Sequence, residues 1–140
     1  MATKSTRAKP FETSAAEAHQ QEAQRTGDAF LVLASSFAAA ISTHAKLISS
    51  WNVRQGFWES DNTAEKIALM HSELSEALEA DRKGLTSDHI PEFSGIEEEL
   101  ADCMIRILDF AGHHDLRLAE AFTAKLQYNL TRPYKHGKAY

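Results

Sequence analysis

Two pairs of carboxylates have the spacing of a metal site. Glu73 with Glu76, and Glu99 with Asp102, are each three positions apart, so in a helix each pair lies on one face. If the two helices are antiparallel the carboxylates converge, and a cation among them relieves their repulsion. Oxygen ligands suit a hard divalent ion, so the pattern predicts a Mg2+ site, with Mn2+ as the alternative. A carboxylate pair is more often a solvated face, but here both pairs flank an apolar stripe.

Helical periodicity predicts an all-α fold that would hold these carboxylates in place. Four main helices are expected at about residues 28–50, 63–83, 95–113 and 116–130. Capping residues support the middle two helices, with Asn62 and Ser94 as N-caps and Gly84 as a C-terminal stop. The apolar stripes of the four helices, in order, are Phe30, Leu33, Phe37, Ile41, His44, Leu47, Ile48 and Trp51; Ile67, Met70, Leu74, Ala77 and Leu78; Leu100, Cys103, Met104, Ile107, Leu108 and Ala111; and Leu118, Phe122, Leu126 and Leu130.

Composition restricts the class of protein. With 140 residues, 43% of them hydrophobic, the chain suits one globular domain. We expect residues 1–26 to be a flexible extension, because they are polar, and residues 27–140 to form the domain.

The net charge of −5 argues against general nucleic-acid binding. The single cysteine, Cys103, excludes an intrachain disulfide. The longest apolar run is too short for a membrane span and no leader precedes it, so a cytoplasmic location without membrane attachment is expected.

Aromatic and cationic residues suggest what the metal site would act on. Phe57 and Trp58 lie on a loop after Gly56, where with Trp51 they either cap the core or stack a flat ring. His44 falls in the first stripe and is either a core residue or a lining residue. In the basic C-terminal part, a cationic strip of Lys125, Asn129 and Arg132 shares one helix face. Metal, cations and aromatic rings together suit a nucleoside polyphosphate.

These features resemble the MazG-like all-α nucleoside triphosphate pyrophosphohydrolases. The matching pattern is Glu73-x-x-Glu76, 22 intervening residues and Glu99-x-x-Asp102, followed by Lys125-x-x-x-Asn129-x-x-Arg132. The superfamily includes dimeric dUTPases, dCTP pyrophosphatases and phosphoribosyl-ATP pyrophosphatases, and the resemblance covers residues 30–140.

The resemblance implies an enzyme that converts a nucleoside triphosphate to the monophosphate and pyrophosphate, for control of the nucleotide pool. All four acids would hold magnesium, and the cationic strip, with Tyr134 and Lys135, would contact phosphate or sugar. A homodimer or homotetramer is implied, with sites between subunits. Two alternatives stay open, namely a non-catalytic helical interaction module and a nucleotide or metal sensor on the same fold. The sequence also leaves open the base, the sugar, the phosphorus attacked, the pathway and the role of the extension.

Overall fold

The computed structural model describes residues 15–133, which fold into α-helices. The helices are α1 (Ala15–Arg54), α2 (Thr63–Lys83), α3 (Gly95–His113) and α4 (Leu118–Leu130). Within this range no strand forms, and the only β-type pairing is an isolated bridge between Thr86 and Ser94. The prediction of an all-α fold is confirmed, and the bounds of α2 and α3 agree with the sequence patterns.

The outer helices differ from their predicted bounds. α1 begins at Ala15 and ends at Arg54, whereas the apolar stripe predicted residues 28–50. Its first turns contain Ala, Glu and Gln, whose helix propensity is enough to extend the helix beyond its apolar face. α4 begins at Leu118 and not at Leu116, because the Leu116 N–H donates to the carbonyl of Ala111 and so belongs to the turn that follows α3.

Two compact units divide the described residues. Residues 15–35 with 123–133 form one unit, and Ser36–Phe122 form the other. The carboxylate pairs belong to the second unit and the cationic strip belongs to the first. No single helix in residues 15–133 is long and apolar enough to cross a membrane; Glu17–Ala34 and Ser36–Arg54 meet that criterion only as a pair, on length and composition alone.

Caps fix the ends of α2 and α3. The Asn62 side chain accepts a hydrogen bond from the Glu65 backbone N–H at 3.3 Å. Ser94 and Glu97 form a reciprocal capping box at the start of α3. Gly84 has a left-handed φ of 61°, and its N–H donates to carbonyls in the last turn of α2. These local hydrogen bonds explain why the sequence alone located both helices.

α2 and α3 pack antiparallel, as predicted. A Cβ on Gly95, at the start of α3, would lie 2.9 Å from the Cβ of Ala80, near the end of α2. Further along α3, the buried Cys103 thiol donates to the carbonyl of Met70 at 3.6 Å. The residue number on α2 falls as the number on α3 rises, which defines the antiparallel direction. This direction brings the two carboxylate pairs opposite each other.

Small side chains form the buried core, whereas bulky members of the apolar stripes are exposed in the single chain. The buried apolar residues are Ala45, Ala77, Ala80, Cys103, Leu108, Ala111 and Ala119. The exposed stripe residues are Leu33, Leu47, Trp51, Ile67, Leu74, Leu78, Leu100, Met104 and Ile107. The reason is that α2 and α3 meet through small and polar residues, so their bulky apolar residues face away from the contact.

Candidate functional site

Three carboxylates from α2 and α3 form the carboxylate cluster. One oxygen from each of Glu73, Glu76 and Glu99 lies within 4.8 Å of the others. Glu73 is buried, Glu99 is half-buried and Glu76 is exposed, so the cluster opens to solvent on one side. These three hard oxygen donors could hold a divalent cation. Asp102, the fourth predicted ligand, lies outside this group.

Charge repulsion is present in the cluster. Burial raises the pKa of Glu99, and a hydrogen bond to the Glu73 carboxyl together with the charges of Glu76, Glu73 and Asp102 raises it further. Burial also raises the pKa of Asp102, as do the charges of Glu73 and Glu98. The charged forms of both groups are therefore disfavoured, and a bound cation would relieve this cost.

Arg106 is the counter-ion of Glu73, and sequence reasoning missed it. Its Nε donates to Glu73 Oε1 at 2.5 Å. The Glu73 side chain is only 6% exposed, whereas the Arg106 side chain is 40% exposed. A buried carboxylate needs a positive partner or a proton. Among the described residues, Arg106 supplies that positive charge, and its side chain stays partly exposed to solvent.

A cavity of about 230 Å³ adjoins the carboxylate cluster. Arg106 joins the two, because it lines the cavity and pairs with Glu73. Asp102 lines the cavity too, so the structure places this predicted ligand beside the cluster. The full lining is Asn52, Phe57, Trp58, Lys66, Leu69, Asp102, Ile105, Arg106, Asp109 and Phe110. It thus combines apolar rings with charges of both signs.

Trp58 forms a fixed wall of this cavity. The His113 ring stacks on one face of the indole, with centroids 3.6 Å apart and planes 3° apart. The Lys66 Nζ lies 4.5 Å from the indole centroid, which is within the range of a cation–π contact. The indole Nε1 donates to the buried Asp109 at 2.9 Å. His113 therefore occupies one face of Trp58, and Phe57 is the more exposed ring of the pair.

Two other predicted substrate contacts lie away from the cavity lining. His44 and Trp51 are exposed on α1. The His44 Nδ1 lies 2.7 Å from the carbonyl of Ala40, and the Arg54 guanidinium lies 5.9 Å from the Trp51 ring. Neither residue lines the cavity beside the carboxylate cluster. The helical spacing placed His44 and Trp51 in one stripe, but it did not predict which residues line the cavity.

The cationic strip belongs to the other compact unit. There, the Lys125 Nζ lies 4.7 Å from the centroid of the Tyr128 ring. The Asn129 Oδ1 is buried and has no hydrogen-bond partner among the described residues. Arg132 lines a groove with residues of the first turns of α1. Tyr134 and Lys135, also predicted to contact the substrate, lie outside the described residues.

A polar stripe along α3 contains two predicted site residues, Glu99 and Asp102, and three that sequence reasoning missed. Glu99, Asp102, Arg106, Asp109 and His113 follow one another at steps of three and four residues, which places them on one helix face. This face points to the cluster and to the wall of the cavity. The helical period of these charged side chains was visible in the sequence, but it did not show which of them contact the site.

Replacing Trp58 by phenylalanine is expected to lower the free energy of unfolding by about 1–3 kcal/mol, because buried Asp109 loses its hydrogen-bond donor. Trp51→Phe is the matched control, since Trp51 is 57% exposed, and its effect should stay within about 0.5 kcal/mol. Urea unfolding of the full chain, followed by circular dichroism, measures both. Equal effects would show that the bond between Trp58 and Asp109 does not contribute in solution.

In a metal-free solution that contains a chelator, the Glu99→Gln variant is expected to have a higher free energy of unfolding than the parent chain as the pH rises. The folded-state pKa of Glu99 is raised above its ordinary value of 4.5. The Glu99 carboxyl therefore contributes its full stabilisation below its ordinary pKa. This stabilisation is lost as the pH rises through the folded-state pKa, because the carboxyl then becomes charged in the cluster. Unfolding free energies over an acid-to-neutral pH series measure the difference between variant and parent.

The control for this series is Glu120→Gln, which removes an exposed carboxylate paired with Arg117. Its effect should be small at every pH. Because Glu97 and Glu98 have lowered pKa values that act in the opposite direction, the difference from the parent is the informative quantity. A difference for Glu99→Gln that does not change with pH would contradict the repulsion within the cluster.

No protein-family profile matches this sequence, and neither the curated proteins nor the solved structures contain a significant match.

Proposed function

We propose that this protein is a magnesium-dependent nucleoside triphosphate pyrophosphohydrolase. The observation that carries the proposal is the convergence of Glu73, Glu76 and Glu99 from two antiparallel helices. Beside them lies a cavity lined by the cations Lys66 and Arg106 and by aromatic rings. Carboxylates that hold a divalent ion next to cations that hold phosphate suit the hydrolysis of a phosphoanhydride.

The residues of the carboxylate cluster and of the cavity would have separate roles in this reaction. Glu73, Glu76 and Glu99 would hold Mg2+, or Mn2+ in its place. When bound, the ion would neutralise phosphate oxygens and favour attack at phosphorus. Phe57, Phe110 and Arg106 line the cavity, where the two rings would pack against the nucleoside and the guanidinium would bind its phosphates. A carboxylate of the site accepts the proton of the attacking water, and pyrophosphate leaves as the monophosphate forms.

A homodimer or homotetramer is part of the proposal. The supporting observation is that bulky residues of α2 and α3, such as Leu74, Leu78, Leu100 and Met104, are about half exposed in the single chain. Apolar surface of this kind on neighbouring helices is usually covered by another chain. Light scattering coupled to size-exclusion chromatography measures the mass in solution, and a stable monomer would contradict this part.

The test of the activity is a panel of ribo- and deoxynucleoside triphosphates incubated with the full chain at varied magnesium. Magnesium-dependent release of pyrophosphate from at least one of them is the expected result. Nucleotide binding without turnover would instead support a sensor. If no nucleotide binds, the helical interaction module becomes the better interpretation, and the proposed activity is wrong.

A further inference from the structure

Arg106 stands between the carboxylate cluster and the cavity. It pairs with Glu73 through Nε and also lines the cavity. A guanidinium carries five N–H donors in a planar fork, so a contact made through Nε leaves donors for an anion in the cavity. Its side chain is 40% exposed, which gives it room to change partners.

The charge balance at Glu73 makes Arg106 and a bound cation competitors. The buried Glu73 carboxylate requires one positive neighbour. A divalent ion in the cluster would supply that charge and would repel the guanidinium, which lies 2.5 Å from Glu73 Oε1. The Arg106 side chain would then be free to contact an anion in the cavity.

Lys66, the other cation of the cavity, is held in place by its own contacts. Its Nζ donates to the carbonyl of Phe57 at 2.5 Å and lies 4.5 Å from the Trp58 ring centroid. Moving it would break both contacts. Arg106 donates its described hydrogen bond to Glu73, a group that an incoming ion would neutralise, and its charge also acts on nearby Asp102.

We propose that Arg106 is a positioning residue that exchanges partners: it holds Glu73 in the metal-free protein and turns to a substrate phosphate when a cation occupies the cluster. The proposal rests on the proposed function, since it takes the anion to be a nucleotide phosphate. It predicts that Arg106 weakens the binding of the cation alone and strengthens the binding of nucleotide once the cation is present.

Calorimetric titration of the full chain with Mn2+ alone tests the first half. Arg106→Gln should bind Mn2+ about tenfold more tightly than the parent chain, because the competing charge is gone. Arg106→Lys keeps the charge and should stay within about twofold of the parent. Arg117→Gln is the matched control, because Arg117 also pairs through Nε with a carboxylate, that of Glu120, at 84% exposure. It should leave Mn2+ binding unchanged.

Titration of the Mn2+-loaded proteins with a non-hydrolysable nucleoside triphosphate analogue tests the second half. Arg106→Gln should bind the analogue about tenfold more weakly, and Arg106→Lys a few-fold more weakly, because lysine lacks the planar fork. Arg117→Gln should bind it as the parent does.

The change in Mn2+ affinity shows whether Arg106 exchanges partners or only holds Glu73 in position. If Arg106 only holds Glu73 in position, Arg106→Gln will bind Mn2+ more weakly, and weaker or unchanged binding overturns the proposal. Unchanged analogue binding by Arg106→Gln overturns it too. If the parent chain binds no analogue, both the exchange and the proposed function are wrong. If it binds the analogue but hydrolyses no nucleotide, only the proposed function is wrong.

Discussion

The Glu76→Gln variant is expected to release pyrophosphate at least about 100-fold more slowly than the parent chain at limiting magnesium. The amide keeps the shape of the side chain but removes one of the negative charges that converge in the cluster, and a hard ion binds a neutral amide more weakly. Because Glu76 is exposed and suffers repulsion from Glu99, the metal-free fold should keep its stability or gain a little. Steady-state hydrolysis of the best nucleotide at varied magnesium measures the effect.

Glu79→Gln is the matched control for this experiment. It removes the same charge one turn further along α2, where Glu79 pairs with Lys83 on the surface and lies outside the three-carboxylate group. Its turnover should stay within about twofold of the parent, since exposed pairs contribute little. If Glu76→Gln keeps parental turnover at low magnesium, the carboxylate cluster is not the catalytic centre.

The Gly112→Ala variant is expected to lose about 3 kcal/mol of unfolding free energy and about 10 °C in Tm. A Cβ at this position would lie 2.1 Å from the carbonyl oxygen of Ala45 and 2.9 Å from the Cβ of Ser49. Ala45 and Ser49 are both buried on α1, so the neighbouring backbone must move to make room. Thermal and urea unfolding of the full chain measure the loss.

Gly84→Ala separates this steric effect from the conformational effect of glycine. Gly84 has a φ of 61°, and a Cβ added there would have no atom within 4 Å, so alanine at this position costs only about 1 kcal/mol of backbone strain. The two variants should therefore differ by about 2 kcal/mol. A Gly112→Ala loss no larger than that of Gly84→Ala would contradict the close approach of α1 and α3.

Local signals were sufficient to predict the helices on either side of the site. Asn62, Gly84 and Ser94 form their predicted caps through hydrogen bonds to nearby backbone groups. Such bonds depend on residues only a few positions apart, so the sequence contains all the information. α1 was less predictable, because its first turns have high helix propensity but no apolar stripe to mark where they begin.

Helical spacing and an antiparallel arrangement were sufficient to predict that the acids of α2 and α3 converge, but they did not distinguish Glu99 from Asp102. Three outcomes followed only from the packing: Asp102 lies outside the three-carboxylate group, Arg106 neutralises Glu73, and His113 stacks on Trp58. The contacts of Arg106 with Glu73 and of Trp58 with Asp109 join residues more than 30 positions apart. Periodicity determines which face of a helix a side chain occupies, but the packing of that face determines which side chain it meets.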